Sequence, residues 1–181
     1  AIGGSIAVDG VCLTVVEKCK GFFTADVSKE TLKLTTLASA KKDVKVNLEK
    51  ALKPSGRFGG HIVTGHIDGL GIIKKKAMKD GFSVVEFNIQ DELMRQVVKK
   101  GSIAVDGISL TVAEIIGNSF IAHLVPHTLK LTTMGLKNIG DKVNIETDII
   151  GKYVEKFLSP YAGKTGIDED FLIKHGFIGE E

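Results

Sequence analysis

Cys12 and Thr14 are the first residues whose types and spacing could do chemistry. Two positions apart on an extended strand, they project to one face, while Val11, Leu13 and Val15 project to the other. A thiol beside a hydroxyl, backed by an apolar row, fits a pocket wall and also fits a plain solvent face. Cys12 could be a nucleophile only with a nearby positive charge to lower its pKa, and a buried structural thiol is the commoner case. Ser109 and Thr111 repeat the arrangement. A second stretch, Gly59-Gly60-His61-Ile62-Val63-Thr64-Gly65-His66-Ile67-Asp68, joins two histidines to glycines that let a backbone approach closely. Five apart, the histidines face opposite ways on a strand and cannot share a metal; no Cys-x-x-Cys is present either, so no metal site is expected. His66 could carry a proton at neutral pH in a cleft. The bland alternative is a glycine-rich linker with a hydrogen-bonded histidine.

The elements that must position these groups occur twice. Gly4-Ser5-Ile6-Ala7-Val8-Asp9-Gly10-Val11-Cys12-Leu13-Thr14-Val15 returns as Gly101-Ser102-Ile103-Ala104-Val105-Asp106-Gly107-Ile108-Ser109-Leu110-Thr111-Val112. Without a gap, Thr31-Leu32-Lys33-Leu34-Thr35-Thr36 recurs as Thr128-Leu129-Lys130-Leu131-Thr132-Thr133, and Asn47-Leu48-Glu49 as Asn144-Ile145-Glu146. About half of the aligned positions are identical, which makes this a duplicated domain. Differences cluster after matching strands: Cys12 faces Ser109, Asp26 faces His123, Lys29 faces Pro126 and Glu30 faces His127. Such a pattern fits two sites that hold one kind of ligand in unequal roles, and drift on an exposed loop would look similar. Copy two has about thirty-five residues ahead of Gly101, from near Gly65, and copy one has three. The expectation is therefore a natural protein that starts roughly thirty-odd residues earlier, in a segment matching Gly65-His66-Ile67.

Composition narrows the class. At 181 residues, 43% hydrophobic and 25% charged, the chain is an ordinary soluble globular protein of two small domains. A formal net charge of +2 and no basic run interleaved with aromatics argue against nucleic acid, and Lys74-Lys75-Lys76 reads as the solvated end of a strand. No apolar run reaches the ~18 residues of a membrane span, and no signal peptide is evident. Cys12 and Cys19 would point to opposite faces of one strand, so no local disulfide is expected and a reducing cytoplasm is the simplest setting.

The periodicity is that of strands. Asp9-Gly10 and Asp106-Gly107 accept the positive φ angles of tight hairpins. Phe22 to Val27, Phe120 to Val125, Val44 to Leu52 and Lys142 to Asp148 read as further strands, as do Gly69 to Lys75 and Phe82 to Ile89 about a turn at Lys79-Asp80-Gly81. Asp91 to Val98 reads as a short helix capped by Asp91. The expected fold is all-β, with one small antiparallel barrel per copy. In the tail, Ile149, Ile150, Tyr153, Val154, Phe157 and Leu158 have a helical period, and Pro160 stops that helix. Its apolar face could cap the second barrel or make an oligomer contact. A second helix is expected from Asp168 to His175, ending at Gly176.

The paired Gly-Ser-Ile-Ala-Val-Asp-Gly-x-x-Leu-Thr-Val segments, the Gly-Gly-His-Ile-Val-Thr-Gly-His-Ile-Asp between them and Pro126-His127-Thr128-Leu129 closely resemble the riboflavin synthase family. The resemblance runs nearly to Leu158. It implies two tandem six-stranded Greek-key β-barrels from an internal duplication, over residues 1–60 and 61–148, with a helical tail over 149–181 that assembles a homotrimer. It implies a transferase without metal or cofactor that dismutates two 6,7-dimethyl-8-ribityllumazine molecules to riboflavin and a ribitylamino-pyrimidinedione. The active site would lie between the first barrel of one subunit and the second of another, and lumazine synthase is a candidate larger-assembly partner. Antenna proteins that bind lumazine or flavin without turnover share the double barrel and are the main alternative.

Carried onto this chain, the resemblance assigns the first pocket to Cys12, Leu13, Thr14, Asp26, Val27, Ser28, Lys29, Glu30 and Thr31. It assigns the second to Gly65, His66, Ile67, Lys100, Ser109, Leu110, Thr111, Leu124, Val125, Pro126, His127 and Thr128. The reaction removes a proton from the lumazine C7 methyl, so His66 with Thr111 or Ser109 is expected to handle that proton. Cys12 would support addition at the partner ring.

Overall fold

The computed structural model describes residues 1–159 and residue 175. The stop at Pro160, and the second tail helix apart from His175, lie outside the described residues. Copy one comprises β1 (Ser5–Val8), β2 (Val11–Cys19), β3 (Phe22–Ala25), helix α1 (Lys29–Leu34) and β4 (Leu48–Lys50). A connecting section follows, with β5 (Gly69–Lys79), β6 (Phe82–Asn88) and α2 (Asp91–Met94). Copy two comprises β7 (Ser102–Val105), β8 (Ile108–Ile116), β9 (Ser119–Leu124), α3 (Pro126–Leu131) and β10 (Lys142–Thr147), and α4 (Ile149–Leu158) ends the described chain.

The β7–β8 hairpin, β9 and β10 close into a six-stranded antiparallel barrel with β5 and β6, in the order β10-β5-β6-β9-β8-β7. Its interior is a continuous apolar cluster that includes Ile73, Val85, Phe87, Ile103, Val112, Phe120 and Ile145. Phe87 and Phe120 are cross-strand partners, and their rings stack at 5.1 Å. Copy one builds the matching strands into a four-stranded sheet, β3-β2-β1-β4. Among the described residues no hairpin bridges β3 and β4 as β5 and β6 bridge β9 and β10, so the six-stranded closure is seen in copy two. Both copies carry the same irregularity, a register shift at Val15/Glu17 and again at Val112/Glu114.

The copies meet at their hairpin turns. Gly10 and Gly107 have φ of +79° and +77°, and a Cβ on Gly10 would stand 2.5 Å from the Gly107 nitrogen, so the turns touch backbone to backbone. Around this contact the polar groups are exchanged. Within each copy, the Asn47 and Asn144 amides donate to Asp9 and Asp106 carboxylate oxygens, each at 2.7 Å. Across the junction, the Asn144 side-chain amide donates to the Asp9 carbonyl at 2.8 Å, and that of Asn47 to the Asp106 carbonyl at 3.0 Å. In return the Thr36 amide donates to Asn144 Oδ1 and the Thr133 amide to Asn47 Oδ1, each at 2.8 Å.

Three sequence expectations change. The helix expected over Asp91 to Val98 is α-helical only from Asp91 to Met94, with Gln90 rather than Asp91 at the N-cap position and no side-chain cap; Gln96 and Val97 continue it with tighter amide bonds to Leu93 and Met94. The lysine run is not simply solvated: Lys74 and Lys75 both pair with the buried Glu86, at 3.0 and 3.2 Å, beside a register shift in β5. Lys76 Nζ donates to the carbonyls of Met134 and Lys137. Past the half-buried Ile149, the tail helix turns its apolar residues outward. Lys152 pairs with Asp68 at 2.6 Å and Gln96 donates to Glu155, so the polar side of α4 holds the barrel. Ile150, Tyr153, Val154, Phe157 and Leu158 are all exposed, which removes the barrel-capping reading.

The junction makes stability depend on pH. Burial pushes the Asp106 carboxyl up to about 6, against the pull of Lys137 Nζ at 3.1 Å. Folding therefore raises this pKa from the ordinary 3.8, so its stabilising contribution is full at lower pH and is lost as pH rises through about 6. Chemical denaturation at pH 4 and pH 7 should show wild type losing on the order of 2–3 kcal/mol relative to the change in Asp106→Asn. Parallel behaviour of the two proteins would contradict this.

Candidate active site

The hairpin alternation puts the Cys12/Thr14 and Ser109/Thr111 pairs on the strand faces that their spacing indicates. Along β2, Val11, Leu13 and Val15 are buried, Cys12 is half-buried and Thr14 is exposed. Along β8, Leu110 and Val112 are buried while Ser109 and Thr111 are exposed. Cys12 and Ser109 take equivalent rungs, paired with Ala7 and Ala104. Leu13, Leu110 and Leu124 belong to apolar cores, and the half-buried Val27 packs against the copy-one core. Their side chains cannot share the Cys12 and Ser109 face, so any contact they make with a ligand there comes from backbone.

The remaining predicted residues form the starts of two helices that strand periodicity did not reveal. Val27 leads from β3 into α1, which Ser28 caps by accepting the Thr31 amide at 3.0 Å. In copy two Val125 precedes α3, and Pro126 occupies its first turn. The Lys29/Pro126 difference thus has a local cause: one helix starts with a hydroxyl cap, the other with a ring that presets φ. Asp26, Lys29, Glu30 and His127 are exposed, and Thr31 and Thr128 are half-buried, each accepting a hydroxyl from Thr35 or Thr132 at its carbonyl, at 2.7 Å. Lys100 is exposed and adopts φ +69°, and its amide donates to the Val112 carbonyl.

The histidine segment docks differently from the expected grouping. Gly65, His66 and Ile67 are expected beside Ser109, yet Gly65 lies against Cys12. The Cys12 amide donates to the Gly65 carbonyl at 2.8 Å, and a Cβ on Gly65 would stand 2.5 Å from Cys12 Cβ. Ile67 packs on the copy-one core of Val8, Val11 and Leu13. Glu146, buried in β10, causes this placement. Its carboxylate accepts the Thr64 amide and hydroxyl at 2.6 and 2.7 Å and the Gly65 amide at 3.0 Å. His66, exposed, follows immediately at the rim of the Cys12 strand.

At Ser109 stands a residue outside the predicted set, His61. Its Nδ1 lies 2.8 Å from Ser109 Oγ and its amide donates to the same oxygen at 3.3 Å. Burial pulls the His61 pKa below the ordinary histidine value, with Asp148 and Glu146 opposing. The Gly59-Gly60 pair was the available signal, because a Cβ on Gly60 would stand 2.2 Å from Ser109 Oγ. Each copy therefore presents a polar pair on one strand face, with a glycine–histidine segment packed against its first member. Among the described residues no group of three or more His, Cys, Asp or Glu could hold a metal ion, and no helix is long and apolar enough to cross a membrane.

Two such strand faces in tandem β repeats define a ligand-binding double-repeat protein, and the lumazine binding domain family matches residues 1–51 and 64–148. A solved structure of LumP complexed with riboflavin superposes with a TM-score of 0.73 at 26% identity, covering 81% of this chain and 79% of that one. LumP complexed with 6,7-dimethyl-8-(1'-D-ribityl) lumazine gives a TM-score of 0.72 at 24% identity, covering 81% and 78%, a likeness of fold. Riboflavin synthase of Actinobacillus pleuropneumoniae is 47% identical over 97% of this chain and 83% of its own length. Riboflavin synthase of Bacillus subtilis (strain 168) is 44% identical over the same shares. The chain belongs to the riboflavin synthase family.

The Gly65 contact yields a direct test. At φ +82° against Cys12, any side chain is both strained and in collision. Gly65→Ala should lower stability by about 1–3 kcal/mol and displace the Thr64–Ile67 segment from Cys12. Thermal melting and the reactivity of Cys12 toward a thiol reagent, which should rise, would check it.

Proposed function

We propose that this chain is a riboflavin synthase: it dismutates two 6,7-dimethyl-8-ribityllumazine molecules, one giving a four-carbon unit to the other. The products, riboflavin and 5-amino-6-(ribitylamino)uracil, together hold the atoms of the two substrates, so the reaction needs no external oxidant or reductant. The observation that carries the reading is the duplicated strand face, Cys12/Thr14 in one copy and Ser109/Thr111 in the other, on a chain 47% identical to a riboflavin synthase. A reaction between two like molecules needs two like sites, and an unequal division of labour needs them to differ.

In this reading the first site is Cys12 and Thr14 with Asp26 through Thr31, and the second is Ser109 and Thr111 with Lys100 and Val125 through Thr128. His66, which follows Gly65 at the rim of the Cys12 strand, reaches the ring held by the facing second-copy site and with Thr111 or Ser109 handles its C7 methyl proton, and hydroxyls and backbone amides stabilise the delocalised carbanion. Cys12 supports addition at the acceptor ring. Holding two rings in reactive alignment supplies much of the acceleration. The first-copy site of one subunit faces the second-copy site of another in a cytoplasmic homotrimer, and lumazine synthase, whose product is this substrate, is its assembly partner. The outward apolar face of α4 supports self-association: five exposed apolar residues, with Tyr153 and Phe157 stacked at 6.5 Å, leave water only against a partner.

Two measurements test this. The full-length protein incubated with the lumazine should develop riboflavin fluorescence, and His66→Gln and Cys12→Ala should each lower turnover at least tenfold. Unchanged turnover would overturn the assigned roles, and tight binding without conversion would support an antenna-type carrier. Phe157→Glu should shift the species on size-exclusion with light scattering from trimer to monomer; an unchanged mass would remove α4 from the assembly.

A further inference from the structure

Ser109 Oγ has more bonding partners than a strand-face hydroxyl needs. Two nitrogens of one residue converge on it, the His61 amide at 3.3 Å and the His61 ring Nδ1 at 2.8 Å. Gly60 makes the approach possible, since a Cβ there would collide with that oxygen. On the far side of the ring, Nε2 is buried and has no hydrogen-bond partner among the described residues. A buried N–H without an acceptor is rarer and costlier than a buried lone pair. The tautomer that follows carries its proton on Nδ1 and a lone pair on Nε2. Nδ1–H then donates to Ser109 Oγ, as the amide does. A serine oxygen has two lone pairs and one hydrogen. With both lone pairs engaged, the hydrogen is left to point away from His61, toward the exposed face of β8.

We infer that His61 is a positioning residue that makes the Ser109 hydroxyl an obligate hydrogen-bond donor to the ring bound in the second-copy site. The group it serves is an acceptor on a heteroaromatic ring, a carbonyl oxygen or ring nitrogen that gains negative charge when the substrate loses a proton. Cys12, on the equivalent rung, meets the Gly65 backbone instead and keeps a free thiol. The two sites therefore differ in direction as well as in atom type: one offers a fixed donor, the other a soft nucleophile. Burial, which lowers the His61 pKa, keeps the ring neutral at neutral pH and so preserves the tautomer.

The inference rests on the riboflavin synthase reading for its ligand, while its core can be measured without turnover. Nitrogen-15 NMR of the labelled full-length protein at pH 7.5 should show His61 protonated at Nδ1 and unprotonated at Nε2. Ser109→Ala should shift that tautomer equilibrium. An Nε2–H tautomer, or no response to Ser109→Ala, overturns the proposal whether or not the protein makes riboflavin. In turnover, His61→Ala and His61→Asp should lower kcat about tenfold or more with KM within a few-fold, because both remove the donor. His61→Asn, whose amide N–H can stand where Nδ1–H stands, should restore kcat to within about threefold of wild type. Failure of wild type to turn over lumazine would sink the functional reading and leave the NMR result to decide this one. Equal activity of the Asn and Asp variants would reduce His61 to packing and sink the donor assignment.

Discussion

The constraint on which the molecule depends is that neither Asp-Gly turn can be buried without the other copy. Asp9, Asp106, Asn144 and Thr133 are buried, and Thr36 and Asn47 are half-buried. A buried polar group without a partner costs about 1–3 kcal/mol. Each copy satisfies its own asparagine amide with its own aspartate, and then lends the asparagine side chain to the other copy's carbonyl and amide. Separating the copies would orphan four groups at once, at a junction where Gly10 and Gly107 leave no room for any other side chain. The duplication is thus held together by polar reciprocity, and the apolar cores stay separate.

From that junction the site follows. Joining the turns brings β10, which carries Asn144 and Glu146, close to the first copy. Glu146 then binds Thr64 and Gly65 and lays their segment over Cys12. The repeat frame is symmetric while its fittings are not. Lys137 faces Asp106, and the equivalent position of copy one is Ala40. Glu146 is buried, and its counterpart Glu49 is exposed. Ser28 and Pro126 start equivalent helices by different means. Several differences between the copies are therefore matters of folding, and they must be subtracted before any is assigned to chemistry. Cys12/Ser109 survives the subtraction, since both rungs have the same pairing and the same strand geometry.

What was legible in the sequence is what local pattern encodes. Asp-Gly within an alternating apolar run specifies a tight hairpin wherever it occurs, and the alternation sorts Cys12 and Thr14 from Leu13 without reference to anything distant. Helices α1 and α3 escaped because six residues are too few for a helical period, although Ser28-x-x-Thr31 and Pro126 are start signals. The role of Glu146 and the pairing of His61 with Ser109 span 82 and 48 residues of chain. No local periodicity reports contacts of that range, and the repeat, which sets Gly65 ahead of the second copy, does not show that it packs against Cys12 of the first. The orientation of α4 was invisible for a different reason. Its two faces are plain in the sequence, but which one meets the barrel is settled by Asp68 and Gln96, the partners of Lys152 and Glu155.

The inequality of the two strand faces matters because a dismutation cannot run between identical partners in identical environments. One ring must lose a proton and become electron-rich, and the other must accept carbon as an electrophile. A fixed donor stabilises charge that develops on an acceptor atom and costs no reorganisation at the moment of reaction. A thiol can add to an electrophilic carbon, and its reactivity is set by its charge surroundings. In the proposed reading, a directed hydroxyl at Ser109 and a thiol at Cys12, on strands paired in the same register, divide those demands between the copies. On that proposal the duplication supplies two strand faces of one register, and the difference between sulfur and oxygen, together with the segment that packs over each, is what would give them different work.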